Sequence, residues 1–125
     1  MKYMDEVKHL DRLTRELLEC TEEAAEHYCQ ARERGTKPDF YAEVKPFADH
    51  SKQLLDEWSS QAARWISENR PKNLHENQIS SAAEHIELIT VQCFFPETSR
   101  TRFINYYNST KYVLNVLLGH LDEKK

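Results

Sequence analysis

Val7-Lys8-His9-Leu10-Asp11-Arg12-Leu13-Thr14-Arg15-Glu16-Leu17-Leu18-Glu19-Cys20 decides the fold class. Val7, Leu10, Leu13, Leu17 and Cys20 recur at intervals of three and four, the spacing that aligns side chains on one face of an α-helix. The same stripe continues through Ala24, Tyr28 and Ala31. Lys8, Arg12, Arg15, Glu16, Glu19, Glu22, Glu23 and Glu26 occupy the opposite face. A helix charged on one side and apolar on the other buries only the apolar side. Gly35 supplies a residue at ease in the left-handed conformation that ends helices, and Pro38 follows it.

Three further stretches repeat the pattern, separated by Pro38, Pro71 and Pro96. The expected helical segments are residues 3–34, 39–69, 74–93 and 99–121. In the second, Phe40, Val44, Phe47, Leu54, Trp58, Ala62 and Trp65 form the inner face, with Asp39 as N-cap and the two tryptophans as packing anchors. Pro46 lies inside that segment, where it removes a backbone donor, so a kink or restart is expected near residue 45. The third opens on Asn73-Leu74-His75-Glu76, read as an N-cap with a glutamate three residues on, and turns Ile79, Ala82, Ala83, Ile86, Ile89 and Cys93 inward. The fourth is capped by Thr98 or Ser99 and buries Phe103, Tyr106, Tyr107, Thr110, Val113, Leu114, Leu117 and Leu121. Four amphipathic helices with short connections predict an all-α, up-down-up-down four-helix bundle over residues 1–125, one domain, with helix two kinked near Pro46. At ~30 residues, the first two helices reach ~45 Å.

Composition agrees and excludes several classes. The chain has 125 residues, of which only two are glycine and 39% are hydrophobic. So few glycines oppose an all-β fold and rule out glycine-rich phosphate loops. A net charge of −4 gives no basic surface for nucleic acid. No apolar run is long enough to span a membrane, and the charge-interrupted start carries no signal-peptide core, so neither a membrane nor export is expected. Cys20, Cys29 and Cys93 are odd in number and unpatterned, as expected in the reducing cytoplasm.

The sequence supplies no catalytic constellation. Six histidines raise a metal hypothesis, but di-iron bundles need a Glu-x-x-His pair on each of two helices. Only Glu6-Val7-Lys8-His9 fits that motif. His27, His50, His85 and His120 flank the core stripes and read as amphipathic boundary residues. No metal, cofactor or catalytic residue is assigned. Thr98-Ser99-Arg100-Thr101-Arg102 is the one basic helix start, which makes Ser99, Arg100 and Arg102 a weak anion-site candidate.

The clearest functional signal is a lack of charge. Opposite its core stripe the fourth segment carries Asn105, Asn108, Tyr112, Asn115, Val116 and Gly119, and the third adds Leu88 and Val91 outside its inner stripe. Charge depletion around an aromatic is the composition of an interface centre. The outer faces of segments three and four are therefore expected to meet a partner protein or a second copy through Leu88, Val91, Asn105, Asn108, Tyr112 and Asn115.

The all-helical plan, the Phe94-Phe95-Pro96 junction, and Arg102-Phe103 leading into Tyr112-Val113-Leu114 resemble the YppE-like family of small uncharacterised proteins of Gram-positive bacteria. That resemblance implies a cytoplasmic four-helix bundle with no assigned activity, cofactor or catalytic residue. The expected role is a non-catalytic interaction or accessory module. The alternative is a ligand- or metal-binding bundle with weak or unknown enzymatic activity, using polar boundary residues such as His27 and His50.

Overall fold

A computed structural model describes residues 2–124. Four helices, α1 (Lys2–Arg34), α2 (Lys45–Asn69), α3 (Glu76–Gln92) and α4 (Arg100–Glu123), make up nearly all of it, and no strand occurs among the described residues. Cross-helix pairs fix their directions. Tyr3 bonds Asn69, and Glu6 meets Arg64, so the start of α1 lies beside the end of α2. Lys52 pairs with Glu87, setting early α2 against late α3. Tyr28 reaches Thr98, and Arg15 lies near Asp122, so α1 and α4 also run antiparallel. The alternation is that of an up-down-up-down bundle.

Each junction has a local cause. Gly35 ends α1 at φ +68°, and its N–H donates to the Ala31 carbonyl at 2.9 Å. Asp39 caps the following turn, its carboxylate accepting from the backbone N–H groups of Tyr41 and Ala42 at 3.1 and 3.0 Å. That turn, Phe40–Val44, is π-helical, and α2 begins at Lys45 with Pro46 in its first turn. The helix runs on from that turn, Lys45 N–H donating to the Phe40 carbonyl, and Pro46 cannot donate the next bond of the series, so the expected disturbance near residue 45 takes the form of a π-helical turn leading into α2. Arg70, left-handed at φ 45°, closes α2 before Pro71. The start of α3 corrects the sequence reading. Asn73 is left-handed at φ 61° and lies outside the helix, whose N-cap is His75. The Gln78 side chain accepts the His75 N–H at 2.8 Å, the reciprocal half of a capping box shifted by two residues. Ser99, not Thr98, caps α4.

The core forms two clusters. The larger is aliphatic with two tryptophans: Leu10, Leu13 and Leu17 of α1 meet Leu55, Trp58 and Trp65 of α2, Ile79 and Ile86 of α3, and Leu114 and Leu117 of α4. Trp58 is fully buried and donates its indole N–H to Thr14 Oγ1 at 3.0 Å. Thr14 in turn donates to the Leu10 carbonyl, so no polar atom of this pair is stranded. The smaller cluster gathers Tyr28, Val44, Ile89, Cys93, Phe94 and Phe103 at the other end of the bundle. Every residue of the stripe expected for α1 is buried. Phe40 departs from its expected inner position: at the π-helical turn it stands 52% exposed, and Leu55, not Leu54, fills the core below.

Candidate functional site

The outer face of α4 stands in solvent as expected. Asn105, Asn108, Asn115 and Gly119 are exposed, and Tyr112 is 60% exposed. On α3, Leu88 and Val91 are 39% and 38% exposed. The six residues form a broad band, not one compact patch. Val91 borders the groove between α2 and α3 beside Ala48, Leu55 and Thr90. Asn115 borders the opposite groove, between α1 and α4, beside Leu18 and the glutamates of α1. In the seam between α3 and α4, His85 stacks on Tyr106 with centroids 4.4 Å apart. The buried Nδ1 of His85 and Oε1 of Gln92, one turn to either side of Leu88, have no hydrogen-bond partner among the described residues.

The single basic side chain between Arg102 and His120 is neutralised. Lys111 Nζ lies 2.9 Å from Glu22, and the Tyr107 hydroxyl donates to both oxygens of the same carboxylate at 2.9 Å. The Lys111 hydrogen bond, seconded by Tyr107, holds the Glu22 carboxyl below its ordinary value. The same contact raises Lys111, while burial, then Glu22, pushes Tyr107 up. The cluster anchors α4 to α1 and leaves the outer face uncharged.

The candidate anion residues separate. The Ser99 hydroxyl accepts the Arg102 N–H at 3.3 Å as an ordinary cap, and the Arg102 side chain is exposed. Arg100 instead borders a hollow shared with Arg32 of α1. Arg32 escaped the sequence reading, although its position four residues after Tyr28 was a signal. Its Nη1 donates to the Tyr28 hydroxyl at 3.0 Å and to the Thr98 carbonyl at 3.3 Å.

The histidines take separate tasks. His27 packs between Phe47 and Phe94, His9 bonds Glu57 and Arg12, and His120 bonds the Lys72 carbonyl. His50 is exposed on α2. No three His, Cys, Asp or Glu side chains among the described residues are grouped to hold a metal ion. The thiols of Cys20, Cys29 and Cys93 are free. Burial pushes Cys93 up to about 12 and raises Cys20, so neither is a thiolate nucleophile near neutral pH.

With helices, junctions and clusters in place, the family model for a bacterial domain of unknown function, DUF1798, matches residues 14–121. The chain belongs to the DUF1798 family. The expected YppE-like resemblance is borne out: the Bacillus subtilis (strain 168) protein YppE is 24% identical over 105 residues, spanning 84% of this chain and 85% of YppE. A Listeria innocua crystal structure of a protein of unknown function superposes with a TM-score of 0.92 at 30% identity, covering 97% of each chain. The crystal structure of Bacillus subtilis YppE gives a TM-score of 0.88 at 22% identity, covering 94% of this chain and 95% of YppE. A Staphylococcus aureus DUF1798 structure gives 0.84 at 24%, covering 91% of this chain and 96% of that one. At these lower identities the likeness establishes the fold. This chain is a bacterial protein whose described residues are all-α, and among them no helix is long and apolar enough to cross a membrane.

Proposed function

We propose that this DUF1798 chain is a non-catalytic protein-interaction module of the bacterial cytoplasm, docking through the neutral outer face of α3 and α4. One observation carries the reading. Leu88, Val91 and Tyr112 stand exposed in a band completed by Asn105, Asn108 and Asn115, while Lys111, next to Tyr112 in sequence, is spent on Glu22. Water-exposed apolar side chains cost little desolvation when covered, and tyrosine is a favoured interface anchor. The three free thiols accord with a reducing compartment.

The test combines light scattering over a range of concentrations with capture of partners on immobilised protein. Self-association, or retention of one discrete protein, is expected, and Tyr112→Glu with Leu88→Glu should weaken either by at least ~10-fold, as for loss of central anchors. Both positions are exposed, so the helical circular dichroism should not change. A strictly monomeric chain whose capture is untouched by the double variant would overturn the proposal.

The ligand-binding alternative built on His27 and His50 gains nothing from their placement. His27 is an edge-to-face partner of Phe47, and His50 stands in solvent.

A further inference from the structure

Late α1 and early α4 border a surface hollow of about 350 Å³, away from the α3–α4 band. Tyr28 and Phe103 lie along it, buried and stacked with ring centroids 4.3 Å apart and planes 7° from parallel. Ile104, 37% exposed, borders the same space as an apolar side chain with no cover. Two arginines, Arg32 and Arg100, line it as well.

Arg32 is not an ordinary solvated charge. Arg32 lies over the Tyr28 ring, 5.5 Å from its centroid, and its Nη1 is fixed by the Tyr28 hydroxyl and the Thr98 carbonyl. Those bonds use Nη1 alone, so its other guanidinium N–H donors are uncommitted among the described residues. Arg100 has neither an ion pair nor a side-chain hydrogen bond among the described residues. Elsewhere on the surface, Arg15, Arg34 and Arg64 each face a carboxylate. Glu33 is the one acid on the rim, leaving a surplus of a single positive charge.

We propose that this hollow binds an amphipathic organic anion, with one carboxylate or phosphate head held by Arg32 and Arg100 and an apolar body laid against Ile104 and the Phe103 edge. The volume falls at the lower end of the ~300–1,000 Å³ range of small-molecule sites, which suits a short ligand. Guanidinium groups are weakly hydrated and bond carboxylate or phosphate oxygens in pairs, so Arg32, already held in place, gives up little freedom on binding. The apolar wall sets the site apart from a bare anion subsite, and the single surplus charge favours a singly charged head.

Octanoate is the probe, with octanol supplying the tail alone and inorganic phosphate the charge alone. Calorimetric titration of the full chain should give saturable one-to-one octanoate binding, at least ~10-fold tighter than either control. Arg100→Ala and Ile104→Asn, both at exposed positions, should each weaken it by ~10-fold, a step worth about 1.4 kcal/mol. A second readout uses the exposed thiol of Cys29, which lines the hollow. Octanoate should slow its alkylation by iodoacetamide, and Arg100→Ala should restore the rate. Octanol binding as tightly as octanoate would remove the anionic head from the proposal. Phosphate binding as tightly would remove the apolar body. The proposal is overturned by no saturable octanoate binding, or by binding and Cys29 protection that survive both substitutions.

Discussion

The two ends of the bundle are built from different material. One is aliphatic: Leu10, Leu13, Leu17, Leu114 and Leu117 close around Trp58 with almost nothing exposed. The other is aromatic: Tyr28 stacks on Phe103, Phe94 meets Phe47 and His27, and Phe47 and Tyr107 remain half-buried. The aliphatic end comes from the middles of helices, where the three-and-four repeat places one residue per turn inward. Much of the aromatic end comes from junctions: Val44 closes the π-helical turn, while Cys93 and Phe94 follow α3. Aliphatic chains interdigitate to crystal-like density, and aromatic rings pack in stacked or edge-to-face pairs. The hollow bordered by Tyr28 and Phe103 lies at the aromatic end.

The contrast is most directly broken at Trp58. Trp58→Ala should cost ~3–5 kcal/mol in urea unfolding, because it removes a fully buried ring and leaves Thr14 Oγ1 without its donor. A loss under ~1 kcal/mol would mean that the aliphatic end contributes little to stability. At the other end, Phe103→Leu keeps an apolar side chain but loses the stack on Tyr28. About 1.5 kcal/mol should be lost, with a change in the near-ultraviolet dichroism of tyrosine. Asp39→Ala, which frees the Tyr41 and Ala42 N–H groups at the entry to α2, should cost ~1 kcal/mol by the same urea measurement.

The smallest effect belongs to the Lys111–Glu22–Tyr107 cluster that joins α4 to α1. The Glu22 carboxyl titrates below its ordinary value in the folded chain, first through Lys111 and then through Tyr107. Its contribution is therefore present above the unfolded value of ~4.3 and fades as pH falls through the lower folded value. Both charged side chains are at least one-third exposed, so solvent screening limits the contribution to a few tenths of a kcal/mol, about that of a surface pair. Lys111→Met should lower stability slightly at pH 6 and leave it nearly unchanged at pH 3, as read from urea midpoints at the two values. An equal loss at both would assign the role of Lys111 to packing along the Tyr107 ring, over which its ammonium lies.

Most of the fold was legible because it depends on spacing. All eight inner residues expected of α1 are buried, and so are Ile79, Ile86, Leu114 and Leu117 in the later helices. The failures share a cause. Phe40 was counted inward on an α-helical period, but the Asp39 cap opens a π-helical turn whose wider period rotates the ring into solvent. Asn73 was read as a cap from its residue type, while the backbone uses it in the left-handed region, which asparagine tolerates, and begins the helix two residues later. Asp11, on which the sequence reading made no call, is buried inside the apolar stretch, its carboxylate accepting from Arg15, four residues on, at 2.8 Å.

The candidate site was legible only in part. The exposed band of Leu88, Val91 and Tyr112 follows from helical phase, which any one helix determines. The sharing of one hollow by Arg32 and Arg100 does not, because those residues lie on the first and last helices and border the same space only when the bundle closes. By itself the sequence determined that four helices form, where they stop, and which side of each is apolar, since backbone periodicity and capping are local. The tertiary structure decided which charges are neutralised, as Lys111 is by Glu22, and which are left facing an apolar hollow. Those outcomes depend on distances across the bundle, and such distances are set by how the side chains of neighbouring helices pack.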